Sequence, residues 1–177
     1  MPNWCNNNIE LSHPDKAMVE RAKSAFADGR LLDEFIPLPA ELKDTTAPSR
    51  VTNEELVAKY GASDWYDWCI NNWGTKWDIS PYGVDVDDRG VLQGSFDTAW
   101  GPPIEAYKKL EELGFEVRAY YSEPGMGFCG MYEGSDECYD YSGMSADEAE
   151  DMIPETLNEM YNITESMREW EEENADE

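Results

Sequence analysis

The residues best suited to chemistry lie in the run Asn71-Asn72-Trp73-Gly74-Thr75-Lys76-Trp77-Asp78. Lys76 stands between two tryptophans, where its ammonium can sit over an indole face as a cation–π contact. Asp78 or Asp97 would then be its ion-pair partner. With Trp100 added, the set Trp73, Lys76, Trp77 and Asp78 could line a pocket for a base or a peptide. The competing reading is a tryptophan staple between a helix and the next strand. A lone lysine in a large apolar cluster most often snorkels and pairs, which favours the staple. Five of the seven tryptophans fall between Trp65 and Trp100. Each buries a large area and needs a partner for its indole N–H, so most of that cluster is expected as core.

Other constellations carry less. Gly125-Met126-Gly127-Phe128-Cys129-Gly130 fits G-x-G-x-x-G, but an aromatic hairpin-like stretch follows where a nucleotide site needs a helix N-terminus. These read as turn glycines. Asp85-x-Asp87-x-Arg89-Gly90 begins like a calcium loop. An arginine at the third ligand position and Phe96 at the twelfth place make it a hairpin turn instead. Four cysteines without a Cys-x-x-Cys pair, beside a single histidine, give no ordinary zinc ligand set and read as reduced, buried thiols. His13, at a strand-to-helix junction, reads as a cap. There is no Gly-x-Ser-x-Gly elbow, and carboxylate pairs are too numerous to single one out. No catalytic residue, metal or cofactor is therefore expected.

Charge is the outlying property. Thirty-nine acidic residues against thirteen basic ones give −26 over 177 residues. Residues 131–177 hold 17 acids and one base, a net −16. Such a field repels phosphate backbones and anionic membranes and attracts basic surfaces. No apolar run reaches the roughly 20 residues that cross a bilayer. The N-terminus lacks a basic start and an apolar core, so no secretory signal is read there and a cytoplasmic location is expected.

The elements that would position these residues can be read from periodicity. Cys5, Asn7, Ile9 and Leu11 alternate into a first strand over residues 3–12. Pro14 opens a helix with Met18, Val19, Ala22, Ala25 and Phe26 on one face, closed by Gly29. Residues 31–51 have no period. Thr52-x-x-Glu55 predicts a capping box, and Ser63 a cap for a helix with Trp65, Trp68, Cys69, Asn72 and Trp73 on one stripe. Tyr82, Val84 and Val86 alternate into a second strand. Leu92, Phe96, Thr98 and Trp100 mark the inward face of a third. A helix with Ile104, Tyr107, Leu110 and Leu113 inward then leads to a fourth strand, Phe115 to Tyr121. Residues 127–143 read as a further hairpin. Ser145 caps a short helix over 146–152, and Pro154 opens a longer one with Ile153, Leu157, Met160, Tyr161, Thr164, Met167 and Trp170 as its stripe. Its last residues, 171–177, should fray.

The order β-α-(insertion)-β-β-α-β is that of an α+β, ferredoxin-like split βαβ sheet. It carries a helical insertion before the second strand (about 31–78), an extra hairpin after the fourth, and a C-terminal acidic amphipathic helix. Residues 1–142 form the domain in this reading, and 143–177 an acidic helical extension packed on it. The stretches MPNWCNN, NWGTKWD, FDTAWGPP and EPGMGFCG resemble the YubB-type ferredoxin-like family of phage and plasmid proteins. The resemblance implies the fold and a mobile-element origin, and it brings no catalytic residues.

The functional expectation is a non-enzymatic accessory protein whose acidic surface binds and blocks a basic, nucleic-acid-handling host protein. Asp147, Glu148, Glu150, Asp151, Glu155, Glu159, Glu165, Glu169, Glu171, Glu172 and Glu173 would present the charge. The rival is a small-ligand or nucleotide binder, or an enzyme, with its pocket around Trp73–Asp78, Trp100 and Gly125–Gly130. A third reading pairs two copies through the Ile153–Trp170 stripe as a homodimer.

Overall fold

Cys5, Asn7, Ile9 and Leu11 are all buried, and their alternation with polar residues makes the first strand. In the computed structural model, which describes residues 3–174, the chain runs β1 (Trp4–Ser12), α1 (Lys16–Ala27), α2 (Leu31–Phe35), α3 (Ala40–Lys43), α4 (Glu54–Tyr60) and α5 (Trp65–Trp73). It continues through β2 (Ser80–Val86), β3 (Leu92–Ala99), α6 (Ile104–Glu112), β4 (Glu116–Glu123), β5 (Phe128–Glu133) and β6 (Asp136–Asp140). Three helices end it: α7 (Ala146–Met152), α8 (Glu155–Tyr161) and α9 (Ile163–Asn174).

The strands form one sheet in the order β2-β3-β1-β4-β5-β6, with every neighbouring pair antiparallel. The first four strands are the ferredoxin-like unit, and the hairpin β5–β6 extends it beyond β4.

Because side chains alternate across a strand, the sheet has two distinct faces. One packs Ile9, Leu11, Phe96, Val117, Ala119 and Tyr132 into the main core with α1 and α6. Gly94 belongs to that packing, since a Cβ there would collide with the Phe26 ring of α1. Trp68 and Trp73 of α5 join the same core, their rings edge to face at 5.8 Å. On the opposite face, Tyr120, Cys129, Met131 and Tyr139 form a second core with Ala149, Ile153, Leu157 and Ile163. The C-terminal helices therefore cover the β4–β5 half of this face. Asn6, Asn8, Ser95 and Asp97 on β1 and β3 remain only partly buried.

Several local expectations need correction. The cap of α1 is Asp15, accepting from the Ala17 N–H at 2.9 Å, so Pro14 precedes the cap. His13 fastens that turn: its Nδ1 accepts from the Asp15 N–H at 2.9 Å, and its Nε2 lies 3.2 Å from the Leu113 carbonyl. Asn53 rather than Thr52 caps α4, and Asp64 rather than Ser63 caps α5. Asn and Asp are among the best N-cap residues, and each sits one residue past the expected cap. Residues 31–51 hold two short helices, buried through Leu31, Leu32 and Leu42. A bulge between Pro81 and Gly83 turns Tyr82 outward. Leu113 is half-exposed.

The expected single C-terminal helix is two. Asn162 adopts a left-handed conformation (φ 50°) between α8 and α9. The Asn158 side chain accepts from the Thr164 N–H at 2.9 Å and so starts the second helix. The break swings the expected stripe apart: Ile153, Leu157 and Thr164 are buried, whereas Met160 and Trp170 are exposed. Residues 171–174 are helical, and the remainder of the segment expected to fray lies outside the described residues.

Candidate functional site

The sequence-derived pocket separates into core and surface. Trp73 is buried, its indole N–H donating to the Ile36 carbonyl at 3.0 Å. Asp78 reaches back across 45 residues and accepts from the N–H groups of Leu32 (3.0 Å) and Asp33 (2.8 Å). It also accepts from Ile79 N–H at 2.8 Å. Asp78 is thus the remote N-terminal cap of α2, where burial pushes its pKa up against those three donors. Neither Asp78 nor Asp97 pairs with Lys76. Asp97 instead accepts from Asn6 Nδ2 at 3.3 Å and from the Tyr82 hydroxyl. The Lys76 ammonium lies 4.4 Å from the Trp77 ring centroid, and nearer 6 Å from those of Trp65 and Tyr66.

What faces solvent is an aromatic corner. Trp77 (41% exposed) lies 6.2 Å from Trp4, centroid to centroid. The Thr75 hydroxyl donates to the Ala99 carbonyl at 3.1 Å and holds this segment at the end of β3. Trp100, expected on the inward face of β3, sits just beyond the strand and is 48% exposed. It is held in the left-handed region (φ 71°), its N–H donating to the Asn3 carbonyl at 2.9 Å. Bulky residues seldom take that conformation. Trp4 was missed as a member, although its phase in β1, opposite to Cys5, marks it as outward.

The acidic residues also sort into two groups. Glu148 closes a capping box with Ser145, and Glu171 accepts from the Ala146 N–H at 2.8 Å. Asp147 and Glu150 pair with Arg168, the one base in residues 131–177. These four build the unit. Asp151, Glu155, Glu159, Glu165, Glu169, Glu172 and Glu173 are exposed and have no hydrogen-bond or ion-pair partner among the described residues. On α9 they fall at i, i+4, i+7 and i+8, one continuous stripe.

A groove of about 720 Å³ opens beside that stripe. Asn6 and Ser122 of the sheet, the 124–127 turn, the 141–144 loop and the α8–α9 junction line it. The turn is built on buried Glu123, whose carboxylate accepts from the N–H groups of Gly125 (3.0 Å) and Met126 (2.7 Å). Gly127 (φ 74°) lies so close to Ser142 that a Cβ would come within 3.0 Å. The glycines of G-x-G-x-x-G therefore shape a hairpin, as its context implied. Gly125 and Gly127 line the groove beside the C-terminal helices, and Gly130 packs under the Tyr121 ring.

Three of the four cysteines are shielded from solvent. Cys5, Cys69 and Cys129 are buried, and burial pushes the Cys69 and Cys129 thiols up to about 12. Among the described residues, no group of three or more His, Cys, Asp or Glu side chains is arranged to hold a metal. No helix among them is long and apolar enough to cross a membrane.

Residues 72–174 match the family model described as the ferredoxin-like domain in Api92-like protein. The chain belongs to this Api92-like family. The matched stretch runs from the end of α5 to the end of α9, so the family's domain takes in the acidic helices and all the groove's lining except Asn6. β1 lies outside the match, although it sits between β3 and β4 in the sheet. Among solved structures, Api92 from Yersinia pseudotuberculosis is similar at 12% identity. That likeness covers 81% of this chain and 99% of that one, with a TM-score of 0.41. No curated protein matches the chain.

Proposed function

We propose that this member of the family is a non-enzymatic accessory protein that binds a basic, nucleic-acid-handling host protein through its C-terminal helices and blocks it. The YubB-type resemblance adds a phage or plasmid origin, and the target is then a cytoplasmic protein of a bacterial host. The supporting observation is the set of seven exposed carboxylates that have no partner among the described residues. Like charges at i, i+4 lower helix stability, so the stripe on α9 costs the fold something it need not. Cationic partner side chains would relieve that repulsion on binding. Binding would compete with the phosphates that such a protein normally holds.

Capture from bacterial lysate, washed at low and then high salt, tests the reading. Recovery of a basic protein released by salt is expected, because exposed charge pairs are screened. No basic partner, or binding indifferent to salt, would sink it.

A second reading, a small-ligand or nucleotide binder, draws support from Trp100. An exposed tryptophan held in a left-handed backbone is a local strain that the core does not need. This reading now rests on Trp4, Lys76, Trp77 and Trp100. Indole fluorescence in a metabolite screen, with Trp77→Ala as control, distinguishes it from the first.

A further inference from the structure

We infer that the groove at the α8–α9 junction seats an amphipathic helix of the partner protein, its apolar side chains in the groove and its Lys and Arg residues against the acidic stripe. This rests on the acidic-surface reading and specifies the local chemistry of the partner.

The groove walls are apolar and adaptable. Met126 and Met144 come from the two loops, and Met167 and Trp170 from α9. Trp170 is 66% exposed and Met126 is 55% exposed, so nothing in the described chain covers them. Thioethers on flexible stems fit varied side-chain shapes, and an exposed tryptophan at a groove edge is a typical energetic anchor. The groove takes a few apolar side chains rather than a whole helix, so a helix would lie across it and insert one face.

The rim fixes the sign of the occupant's charge. No lysine or arginine lines the groove, and Arg168 nearby is held by Asp147 and Glu150. Glu165, Glu169, Glu172 and Glu173 follow the adjoining face of α9. A peptide entering here meets thioether and indole first and carboxylates along one side. Strand addition is disfavoured, because backbone groups at the groove are already engaged. The Tyr141 N–H donates to the Gly127 carbonyl at 2.8 Å, and the Gly127 N–H donates to the Glu123 carbonyl at 3.1 Å. Side chains must therefore supply the affinity, as in helix-in-groove recognition.

The test uses two fluorescently labelled Leu/Lys peptides of about 18 residues, roughly five helical turns. One is patterned as an amphipathic helix and the other is scrambled at equal composition. By fluorescence anisotropy, the full chain should bind the patterned peptide at least about tenfold more tightly, a difference of about 1.4 kcal/mol. Trp170→Ser should remove roughly tenfold of that affinity, as loss of an anchor does, and leave the scrambled peptide unaffected. Met144→Gln provides a second, independent variant on an exposed side chain. Glu165→Gln with Glu169→Gln should weaken both peptides alike. Equal, salt-sensitive binding of the two peptides would overturn the groove and leave the acidic reading standing. So would indifference to Trp170→Ser. A dimer in sedimentation equilibrium that Trp170→Ser dissociates would give the groove to a second copy instead. Failure of the lysate capture alone would fall on the acidic reading.

Discussion

Asp78 illustrates how a residue's place in the chain can mislead about its role. Beside Lys76 it looks like an ion-pair partner, yet its carboxylate holds two N–H groups of α2 and that of Ile79, the next residue. Asp78→Ala leaves three donors without their acceptor, and urea unfolding should show a loss of roughly 2–3 kcal/mol. Asp78→Asn, which keeps one acceptor, should lose less. Lys76→Ala breaks only cation–π contacts and should cost under about 1 kcal/mol. The cysteines give a second expectation at this scale. Cys138 is exposed while the other three are buried, so a thiol-reactive dye at mild alkaline pH should label one site in the folded chain and four in denaturant. The stripe of α5 and the alternation of β1 were legible because each follows from local period. The Leu32 and Asp33 partners of Asp78 and the Ile36 partner of Trp73 lie at least 37 residues away, and no local pattern records them.

Among the elements, the junction of α8 and α9 matters most to the site. Apolar spacing continues through residue 162, and neither proline nor glycine marks a stop, so the sequence reads as one helix. Asparagine is a residue that tolerates the left-handed conformation, and the Asn158 cap on Thr164 restarts the helix there. Asn162→Gly should leave the melting temperature nearly unchanged, whereas Asn162→Ala should lower stability by about 1–2 kcal/mol. A second element-level contact joins α3 to α4. Glu41 accepts from Lys59 Nζ at 2.7 Å and from the Tyr60 hydroxyl at 2.6 Å, which hold its carboxyl down to about 2. Its folded value lies below the unfolded one of about 4.3, so its contribution is present above that pH and is lost as pH falls through the folded value. Thermal melts of Glu41→Gln should therefore differ from wild type at neutral pH and converge with it below about pH 2.

For the molecule as a whole, −26 on 177 residues is a standing self-repulsion. Raising salt from about 0.02 to 0.5 M shortens the screening length several-fold and should raise the melting temperature, while a neutral osmotic control at equal osmolality should not reproduce the salt-specific part. The ferredoxin-like order and the extra hairpin were both legible in the sequence, because turn residues and alternating strands follow one another along the chain. What periodicity could not place was the packing of the C-terminal helices on the sheet face opposite α1 and α6. That placement sets the α9 stripe of Glu165, Glu169, Glu172 and Glu173, unpartnered among the described residues, beside an apolar groove. The most direct measurement is displacement: the nucleic acid held by the protein captured from lysate, titrated with this chain at physiological salt. Release should saturate at equimolar chain and be lost when the seven carboxylates are changed to amides. Nucleic acid that stays bound in excess chain would contradict the proposed function.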